Sequence, residues 1–378
     1  MSSSNTLPRS QTAVVVTQAG KLRAKGKLPS PGTGGVIRNA PVPSLAHLSQ
    51  SGRQGEFLIV KTRAVALNPT DWKHLDFLSD VGCLLGCDWA GEVLEVGHSC
   101  KDRFAVGHRV CGMTHGGNNT HRAAGAFAQY IIVAGSMTMH IPKNMSFTSA
   151  STLGTGIITV GQSLYQSLGL PQPTASCADM TKRQGDARYL LIYGASTATG
   201  TLAIQFAKLS GCTVIATASP HNFELCKKYG ADHVVDYHDG TRCAAEIRKL
   251  TQGSLSLVLD CIADSGTATV CANALAPASG NIPNGVRLTY TGLLPLERFP
   301  RPDVTAKSTL AYSASGEAFN LGPEHYPAKP EDKEFAEQWF KTVEDLLSKG
   351  LVKTHPVSVE DNGLDGILDG LQLSLIHI

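Results

Sequence analysis

The sequence predicts an α/β fold that combines a doubly wound parallel sheet with a second, β-rich domain. In the middle of the chain, apolar strand-like runs alternate with helical runs, beginning with Leu190–Tyr193 and Thr201–Leu209, and such alternation is typical of a parallel sheet covered by helices. Near the N-terminus, short β-rich segments broken by glycine, such as Glu56–Ala66 and Asp88–Val96, indicate a partly open barrel. A length of 378 residues also favours two domains over one core.

A glycine-marked turn follows the first strand of the predicted parallel sheet. Gly194 allows the chain to turn sharply, and Gly200 allows the next helix to pack closely. The N-terminus of that helix would present free amides and a positive dipole end to a pyrophosphate. Thr197 stands where a middle glycine normally lies, and a tight turn without a ligand is the alternative. The turn therefore favours a phosphate-bearing ligand.

The end of the next strand bears on the choice of nucleotide. The run Ala216–Ser219 ends without the Asp or Glu that would bond a ribose 2′-hydroxyl and repel a 2′-phosphate. Hydroxyls at Thr217 and Ser219, followed by His221 and Asn222, are compatible with an anion. An ordinary helix cap with Pro220 in the first turn explains the same residues and is compatible with phosphate binding. This pattern favours NADPH over NADH.

The alternation continues to about residue 335, so we expect the parallel sheet to span roughly residues 164–335. Further strands and helices are predicted at His233–Tyr237, Ala244–Leu250, Leu255–Cys261, Gly266–Leu275 and Val286–Leu294. Ser146–Ser167 is predicted to be one amphipathic helix leading into this sheet, and the polar segment Pro171–Ala187 a mobile surface loop.

Composition excludes several function classes. A hydrophobic content of 42%, a charged content of 17% and a net charge of +2 describe a soluble globular protein and argue against bulk nucleic-acid binding. The N-terminus lacks the apolar region of a secretory signal and no segment reaches transmembrane length, so we expect a cytoplasmic protein without membrane contact. None of the 10 cysteines forms a Cys-x-x-Cys pair. Cys83 and Cys87 with His98 or His115 could be zinc ligands, but small core residues are favoured, and no metal is predicted.

Five motifs occur in order and carry a resemblance to a known family: Leu67–Asp71, Gly86–Val93, Val106–Val110, Gly125–Tyr130 and Gly230–Asp236. Together they resemble the medium-chain dehydrogenase/reductase superfamily from about Val14 to Leu371. The segments Gly194–Gly200 and Ser219–Asn222 resemble those of the fungal trans-acting enoyl reductases. This resemblance implies a GroES-like β-barrel catalytic domain over residues 1–163, a Rossmann-type NADPH-binding domain over 164–335, and a return to the catalytic domain over 336–378.

The resemblance implies a reaction and a partner. Such enzymes use NADPH to reduce an α,β-unsaturated thioester carried by a highly reducing polyketide synthase in secondary metabolism. The resemblance also implies that the enzyme is a monomer. Zinc-dependent relatives have a Cys where this chain has Asn68–Asp71, and they carry a four-cysteine lobe that is absent here, which implies metal-free hydride transfer. Two alternatives stay open, because fold does not decide function: a stand-alone zinc-independent quinone or enone reductase, and a non-catalytic NADPH-binding sensor.

The resemblance also assigns site residues. Lys73 would supply positive charge near the developing oxyanion, and Thr152 a hydroxyl; the alternatives are a solvated surface lysine and a helix-terminal hydroxyl. The cofactor-binding positions would be Thr70, Asp71, Trp72, Lys73, Gly194, Ser196, Thr197, Ala198, Thr199, Gly200, Ser219, Pro220, His221, Asn222 and Tyr237. The substrate-lining positions would be Thr152, Leu153, Gly154, Thr155, Gly156, Ile157, Ile158, Thr159, Tyr312, Ser313, Ala314, Ser315 and Gly316.

The C-terminal segment departs from the family. Members continue past the helix predicted at Gly363–Leu371 with a basic, glycine-bearing turn and a final strand, whereas this chain reads Gln372–Ile378. Residues Leu373–Ile378 equal the translation of a common sequencing-adapter end. We therefore expect the third part of the predicted domain organisation to be truncated.

Overall fold

A computed structural model describes residues 7–20, 31–46, 54–173, 188–278 and 287–376. The chain divides into two compact units. The first unit consists of Met1–Thr155, Tyr312–Glu344 and Pro356–Ile378, and the second of Gly156–Ala311 and Asp345–His355. The boundaries predicted after residues 163 and 335 lie further along the chain, so by its contacts the segment 312–335 belongs with the first unit.

The described residues form fifteen strands and nine α-helices. The strands are β1 Ser10–Gln18, β2 Thr33–Pro41, β3 Phe57–Ala66, β4 Asp88–Val96, β5 Arg109–Met113, β6 Tyr130–Ala134, β7 Thr138–His140, β8 Tyr189–Tyr193, β9 Thr213–Ala218, β10 His233–Asp236, β11 Leu257–Asp260, β12 Thr289–Gly292, β13 Thr305–Ser308, β14 Phe319–Leu321 and β15 Glu324–Tyr326. The helices are α1 Pro69–Lys73, α2 Phe147–Ala150, α3 Gly154–Gly161, α4 Ala198–Leu209, α5 Phe223–Lys228, α6 Gly240–Leu250, α7 Ser265–Ala274, α8 Pro330–Ser348 and α9 Ile367–Ile376.

The first unit is built on an antiparallel sheet in the order β6-β3-β4-β5-β7, accompanied by the two-stranded pairs β1-β2 and β14-β15. Alternate residues of β3 point to one core, where Leu58 and Val60 pack with Trp89 and Phe127. The period of two follows from strand geometry. Backbone hydrogen bonds from Val14 to Phe127 and from Leu85 to Val14 tie β1 to the loops between β3 and β6. The β-rich N-terminal region predicted from the sequence is therefore confirmed.

The second unit contains a six-stranded parallel sheet in the order β10-β9-β8-β11-β12-β13. Its central strand β8 is buried along Leu190–Ile192, as expected where helices cover both faces. The direction of winding reverses between β8 and β11, and in such sheets ligands bind beyond the carboxyl ends of the strands at this point. The predicted doubly wound fold is confirmed, and Gly194 lies directly after β8.

The single helix predicted over Ser146–Ser167 is wrong. The segment consists of α2, a turn at residues 151–153, α3, and a π-helix Gln162–Ser167. Gly154 approaches β5 so closely that a Cβ atom there would lie 2.2 Å from the carbonyl oxygen of Gly112. The buried carboxylate of Asp88 also accepts a hydrogen bond from the Thr155 amide at 2.6 Å. These contacts with the first sheet break the helix at its second turn.

Three other expectations concern membrane spans, a surface loop and a C-terminal helix. No described helix is both long enough and apolar enough to cross a membrane. Of the segment 171–187, predicted to be a mobile loop, residues 174–187 lie outside the described ranges. The predicted helix Gly363–Leu371 is observed as a 3-10 turn Gly363–Gly366 followed by α9.

Candidate active site

Two glycines shape the turn after β8 in the second unit. Gly194 has a φ of +71°, a conformation that residues with a side chain rarely adopt. A Cβ atom on Gly200 would lie 2.6 Å from the Gly194 carbonyl oxygen and 2.7 Å from backbone atoms of Ala195. Both roles predicted for these glycines, the sharp turn and the close approach of helix and strand, are therefore visible in the geometry.

Thr197, which replaces the usual middle glycine, caps α4. Its hydroxyl oxygen accepts a hydrogen bond from the Gly200 amide at 3.0 Å and donates one to the Gly194 carbonyl at 2.9 Å. The predicted cofactor positions Ser196, Ala198 and Thr199 lie in the same turn. Because the first amides of a helix have no intrahelical partner, the start of α4 is suited to a phosphate group.

The residues after β9 form the other part of the predicted nucleotide site. The Gly194 amide donates to the Thr217 hydroxyl at 3.1 Å, which ties the end of β9 to the glycine turn. The Ser219 and Tyr237 hydroxyls are 2.9 Å apart. Pro220–Asn222 form a short 3-10 helix after Ser219, and its side chains are not buried. The structure thus brings together Ser219 and Tyr237, two positions predicted to contact the cofactor.

In the first unit, α1 begins at a capping box. Asn68 precedes the helix, and its backbone amide donates to the Asp71 carboxylate at 2.7 Å. The hydroxyl of Thr70, two positions after Asn68, is hydrogen-bonded to the Tyr312 hydroxyl. Two of the predicted segments, Thr70–Lys73 and Tyr312–Gly316, therefore meet at this pair.

Asp88 joins a third predicted segment to α1. One of its carboxylate oxygens accepts from the Asn68 side-chain amide at 3.0 Å. The other accepts from both the amide and the hydroxyl of Thr155, at 2.6 Å and 2.7 Å. Asp88 is 2% exposed, and burial raises the pKa of its carboxyl to about 6. Its hydrogen bonds partly oppose this shift, because they stabilise the ionised form.

Asp71 and Cys87 complete a buried polar cluster next to Asp88. Burial, followed by the negative charge of Asp88, raises the pKa of Asp71 to about 7 against the hydrogen bond from Asn68. One Asp71 carboxyl oxygen has no hydrogen-bond partner among the described residues. Burial also raises the pKa of the Cys87 thiol well above its usual value, and its sulfur lies 3.9 Å from the Tyr312 hydroxyl. The cluster therefore resists gaining negative charge.

Three aromatic rings cover the same cluster. The His115 ring stacks on Tyr312 with centroids 3.8 Å apart, and His74 meets the Tyr312 ring edge-on at 5.3 Å. Burial lowers the pKa of His74 to about 4 and that of His115 well below its usual value. Both rings are consequently neutral near pH 7.

The two predicted catalytic residues are both placed in the first unit. Lys73 is half-buried at the end of α1, where burial lowers its pKa, and its Nζ lies 5.5 Å from the Trp72 ring centroid. The Thr152 hydroxyl donates to the Ser149 carbonyl at 2.8 Å, which leaves its lone pairs available to accept. No described hydrogen bond joins Lys73 to Thr152.

The predicted substrate-lining positions fall in both units. Leu153, Gly154 and Thr155 belong to the first unit, whereas Gly156–Thr159 continue along α3 in the second. Residues 312–315 lie in the 3-10 helix Ala311–Ser315, and Gly316 follows with a φ of +75°.

Residues able to bind a metal are not grouped in the described part of the chain. No set of three His, Cys, Asp or Glu side chains there is arranged to hold an ion. The Cys83 thiol donates to the Asn119 side chain at 3.4 Å, and Cys87 is fully buried.

Five further residues belong to the cluster without being predicted site residues: Asn68, His74, Cys87, Asp88 and His115. A usable signal existed for Asp88, because a carboxylate at the start of an otherwise apolar strand must find partners when it is buried. No comparable local signal marks His115, which reaches the cluster only through the fold.

Comparison with known proteins places the chain among oxidoreductases. Residues 54–143 match the family model described as alcohol dehydrogenase GroES-like domain, and residues 198–310 match the model described as zinc-binding dehydrogenase. Trans-enoyl reductase resD of Aspergillus sclerotiorum is 43% identical over 91% of this chain and 94% of its own. Trans-enoyl reductase TOXD of Cochliobolus carbonum is 49% identical over 70% of this chain and 83% of its own.

Solved structures support the fold. The crystal structure of CurK enoyl reductase superposes with a TM-score of 0.65 at 19% identity and covers 96% of each chain. A quinone oxidoreductase from Coxiella burnetii superposes with a TM-score of 0.59 at 19% identity, covering 98% of this chain and 97% of its own. The second unit accordingly has the nucleotide-binding fold of oxidoreductases that use NAD(P).

Proposed function

Because the chain belongs to the trans-enoyl reductases of the medium-chain dehydrogenase/reductase superfamily, we propose that it reduces the carbon–carbon double bond of an α,β-unsaturated thioester. The observation that carries this proposal is the cluster in the first unit. There, Asn68, Cys87 and Asp88 connect the segments beginning at Thr70, Thr155 and Tyr312. These segments are the ones that the resemblance assigns to cofactor and substrate.

We propose NADPH as the reductant. The residues after β9 fit a 2′-phosphate, because Ser219 rather than a carboxylate follows the strand and the Ser219 and Tyr237 hydroxyls lie together. The turn Gly194–Gly200 fits the pyrophosphate, since its glycines bring backbone close to backbone and α4 begins there. When bound, NADPH supplies a hydride to the β carbon of the substrate.

The chain's own residues would stabilise charge and position the substrate. Reduction at the β carbon builds negative charge on the thioester oxygen, and Lys73 is the cation that we assign to it. A half-buried ammonium acts more strongly than one in water because the local dielectric is lower. Thr152 would orient the reacting groups through its hydroxyl.

The partner that we propose is the carrier domain of a highly reducing polyketide synthase, and the enzyme would act as a monomer. The relatives' name, trans-enoyl reductase, supports action on a substrate held by another protein. Solvent water would supply the proton that reaches the α carbon.

The proposal is tested by NADPH oxidation with a crotonyl thioester, presented both on an isolated synthase carrier domain and as a free small molecule. We expect the wild type to prefer the carrier-bound form by at least about tenfold in kcat/KM. Lys73→Ala and Thr152→Ala should each lower kcat by about a hundredfold while NADPH affinity changes less.

Lys101→Ala is the matched control, because Lys101 is an exposed lysine of the same unit. Its kcat should equal that of the wild type. Unchanged turnover in both Lys73→Ala and Thr152→Ala would remove the catalytic assignment. Equal turnover of carrier-bound and free substrate would instead favour a stand-alone enone reductase, and absence of NADPH binding would remove the proposed function altogether.

A further inference from the structure

The first unit contains a cavity of about 260 Å³, which we call the His115 cavity. It is bounded by residues 114–124, by residues 315–319, and by the outer face of the sheet at Phe57, Ile132 and Ala134. An engineered apolar cavity of about 150 Å³ holds benzene, so by the same ratio this space accommodates roughly ten carbon atoms. It is therefore large enough for an organic group rather than a single water.

Apolar and charged side chains line different parts of the cavity wall. Phe57, Ile132, Met137 and Phe319 supply apolar surface. The charged side chains belong to the two segments at the mouth, where His121 Nε2 lies 2.8 Å from Glu317 Oε2. The His121 side chain is 56% exposed, which places this pair at the solvent boundary. Thr114, His115 and Asn118 are buried polar residues of the wall, and the Asn118 side-chain nitrogen lies 3.2 Å from His115 Nδ1. A mostly apolar space with a few fixed polar groups is the usual form of a small-molecule site.

The cavity also adjoins the cluster described above. His115 forms part of its wall, and on the cluster side the same ring stacks on Tyr312, whose hydroxyl is bonded to Thr70. Ser315 lies three residues after Tyr312 and belongs both to the cavity wall and to the predicted substrate-lining segment. The stacked rings of His115 and Tyr312 thus lie between the cavity and the segment that carries Lys73.

We propose that the His115 cavity binds the hydrocarbon tail of the acyl substrate, beyond its reacting carbons, and so sets chain-length preference. This inference rests on the proposed function, because the tail is that of the enoyl thioester. An alkyl chain of up to about ten carbons fits the volume and needs no polar partner inside. A carboxylated or phosphorylated ligand would lack a buried cation to bind.

The test compares trans-2-decenoyl and crotonyl N-acetylcysteamine thioesters in NADPH oxidation. Ala318→Leu adds side-chain volume to the wall formed by residues 315–319, and Ala134→Leu adds it to the wall formed by β6. Each substitution should lower kcat/KM for the decenoyl thioester by at least about tenfold and leave the crotonyl value within about twofold. Ala105→Leu makes the same change at an exposed site outside the cavity, and both values should stay as in the wild type.

Two measurements separate the possible failures. Thermal unfolding identifies a variant that does not fold. The other leucine variant then provides the test. Calorimetric binding of decanoyl and butanoyl N-acetylcysteamine thioesters requires no turnover, and the wild type should bind the longer one at least about tenfold more tightly. If the wild type oxidises no NADPH, the proposed function fails. The calorimetric preference for the longer thioester, and its loss in Ala318→Leu, still show whether the cavity binds the hydrocarbon tail. Equal loss for both chain lengths, no loss for either, or equal affinities would overturn the inference.

Discussion

The glycine turn of the second unit and the polar cluster of the first unit are constructed in different ways. The turn consists mainly of backbone: Gly200 closely approaches the backbone of Gly194 and Ala195, and the hydroxyl of Thr197 caps α4. The cluster consists of side chains from distant parts of the sequence, with Asp88 bonded to residues 20 and 67 positions away. A local backbone site depends on a few permissive residues, whereas an assembled site depends on satisfied buried polar groups.

The difference extends to electrostatics. The start of α4 offers amide donors and a dipole to an anion, so no titratable side chain is needed there. In the cluster, burial has pushed the pKa values of Asp71 and His74 in opposite directions, so that at pH 7 the His74 ring is neutral and the Asp71 carboxyl is about half protonated. The cluster should therefore respond to pH and to single polar substitutions, and the turn to added volume.

The largest effect should come from Asp88→Ala. Removing the carboxylate leaves the Asn68 side chain and both Thr155 donors without their acceptor inside the protein. We expect the free energy of unfolding to fall by about 4 kcal/mol, since each buried donor that loses its partner is costly. Urea titration measures this loss. Asp88→Asn keeps an oxygen acceptor and should lose about half as much, and an equal loss in the two variants would contradict the hydrogen-bond explanation.

Among single substitutions in the glycine turn, Gly200→Ala should have the largest effect. The added methyl group would lie 2.6 Å from the Gly194 carbonyl oxygen, and both contacting groups are backbone that cannot rotate away. We expect a loss of about 3 kcal/mol in the free energy of unfolding and at least about a tenfold loss of NADPH affinity. Calorimetry with NADPH measures the second effect. Gly266→Ala, in the first turn of α7, meets only a side-chain oxygen at 3.1 Å and serves as control; an equal loss there would show that the turn is not specially constrained.

The same contrast explains what the sequence could predict. The parallel strands and the roles of Gly194 and Gly200 follow from local patterns, and the structure confirms the fold. The continuous helix over Ser146–Ser167 was wrong because its interruption comes from Asp88 and Gly112, far away in sequence. The segments of the cluster were recognised through family resemblance, but the contacts that unite them were not. The roles of Lys73 and Thr152 stay predictions.

The smallest effect, and the one that most directly contrasts the two regions, is the pH dependence of Asp71→Asn. Burial and the neighbouring Asp88 raise the folded-state pKa of Asp71 from 3.8 to about 7. The folded protein then holds a proton that the unfolded chain has released, so stability falls as pH rises through this window. An asparagine carries no such proton, and the variant should gain about 2 kcal/mol relative to the wild type between about pH 5 and pH 7.

The buried rings of His74 and His115 act in the opposite direction, because a lowered histidine pKa makes stability rise with pH up to about 6.5. They are common to both proteins and cancel in the difference, as do the Cys87 thiol and the Tyr312 hydroxyl, whose raised pKa values lie above this range. Asp88 is also present in both proteins, and its raised pKa of about 6 makes stability fall with pH in each. Because the charge of Asp88 helps to raise the pKa of Asp71, the difference includes the repulsion between the two carboxylates. Urea titrations of wild type, Asp71→Asn and the exposed control Asp102→Asn at several pH values isolate the Asp71 contribution. A difference between wild type and Asp71→Asn that does not change with pH would mean that Asp71 is ionised throughout. The cluster would then hold a buried negative charge at neutral pH, and its response to pH would come from Asp88 and the two histidines instead.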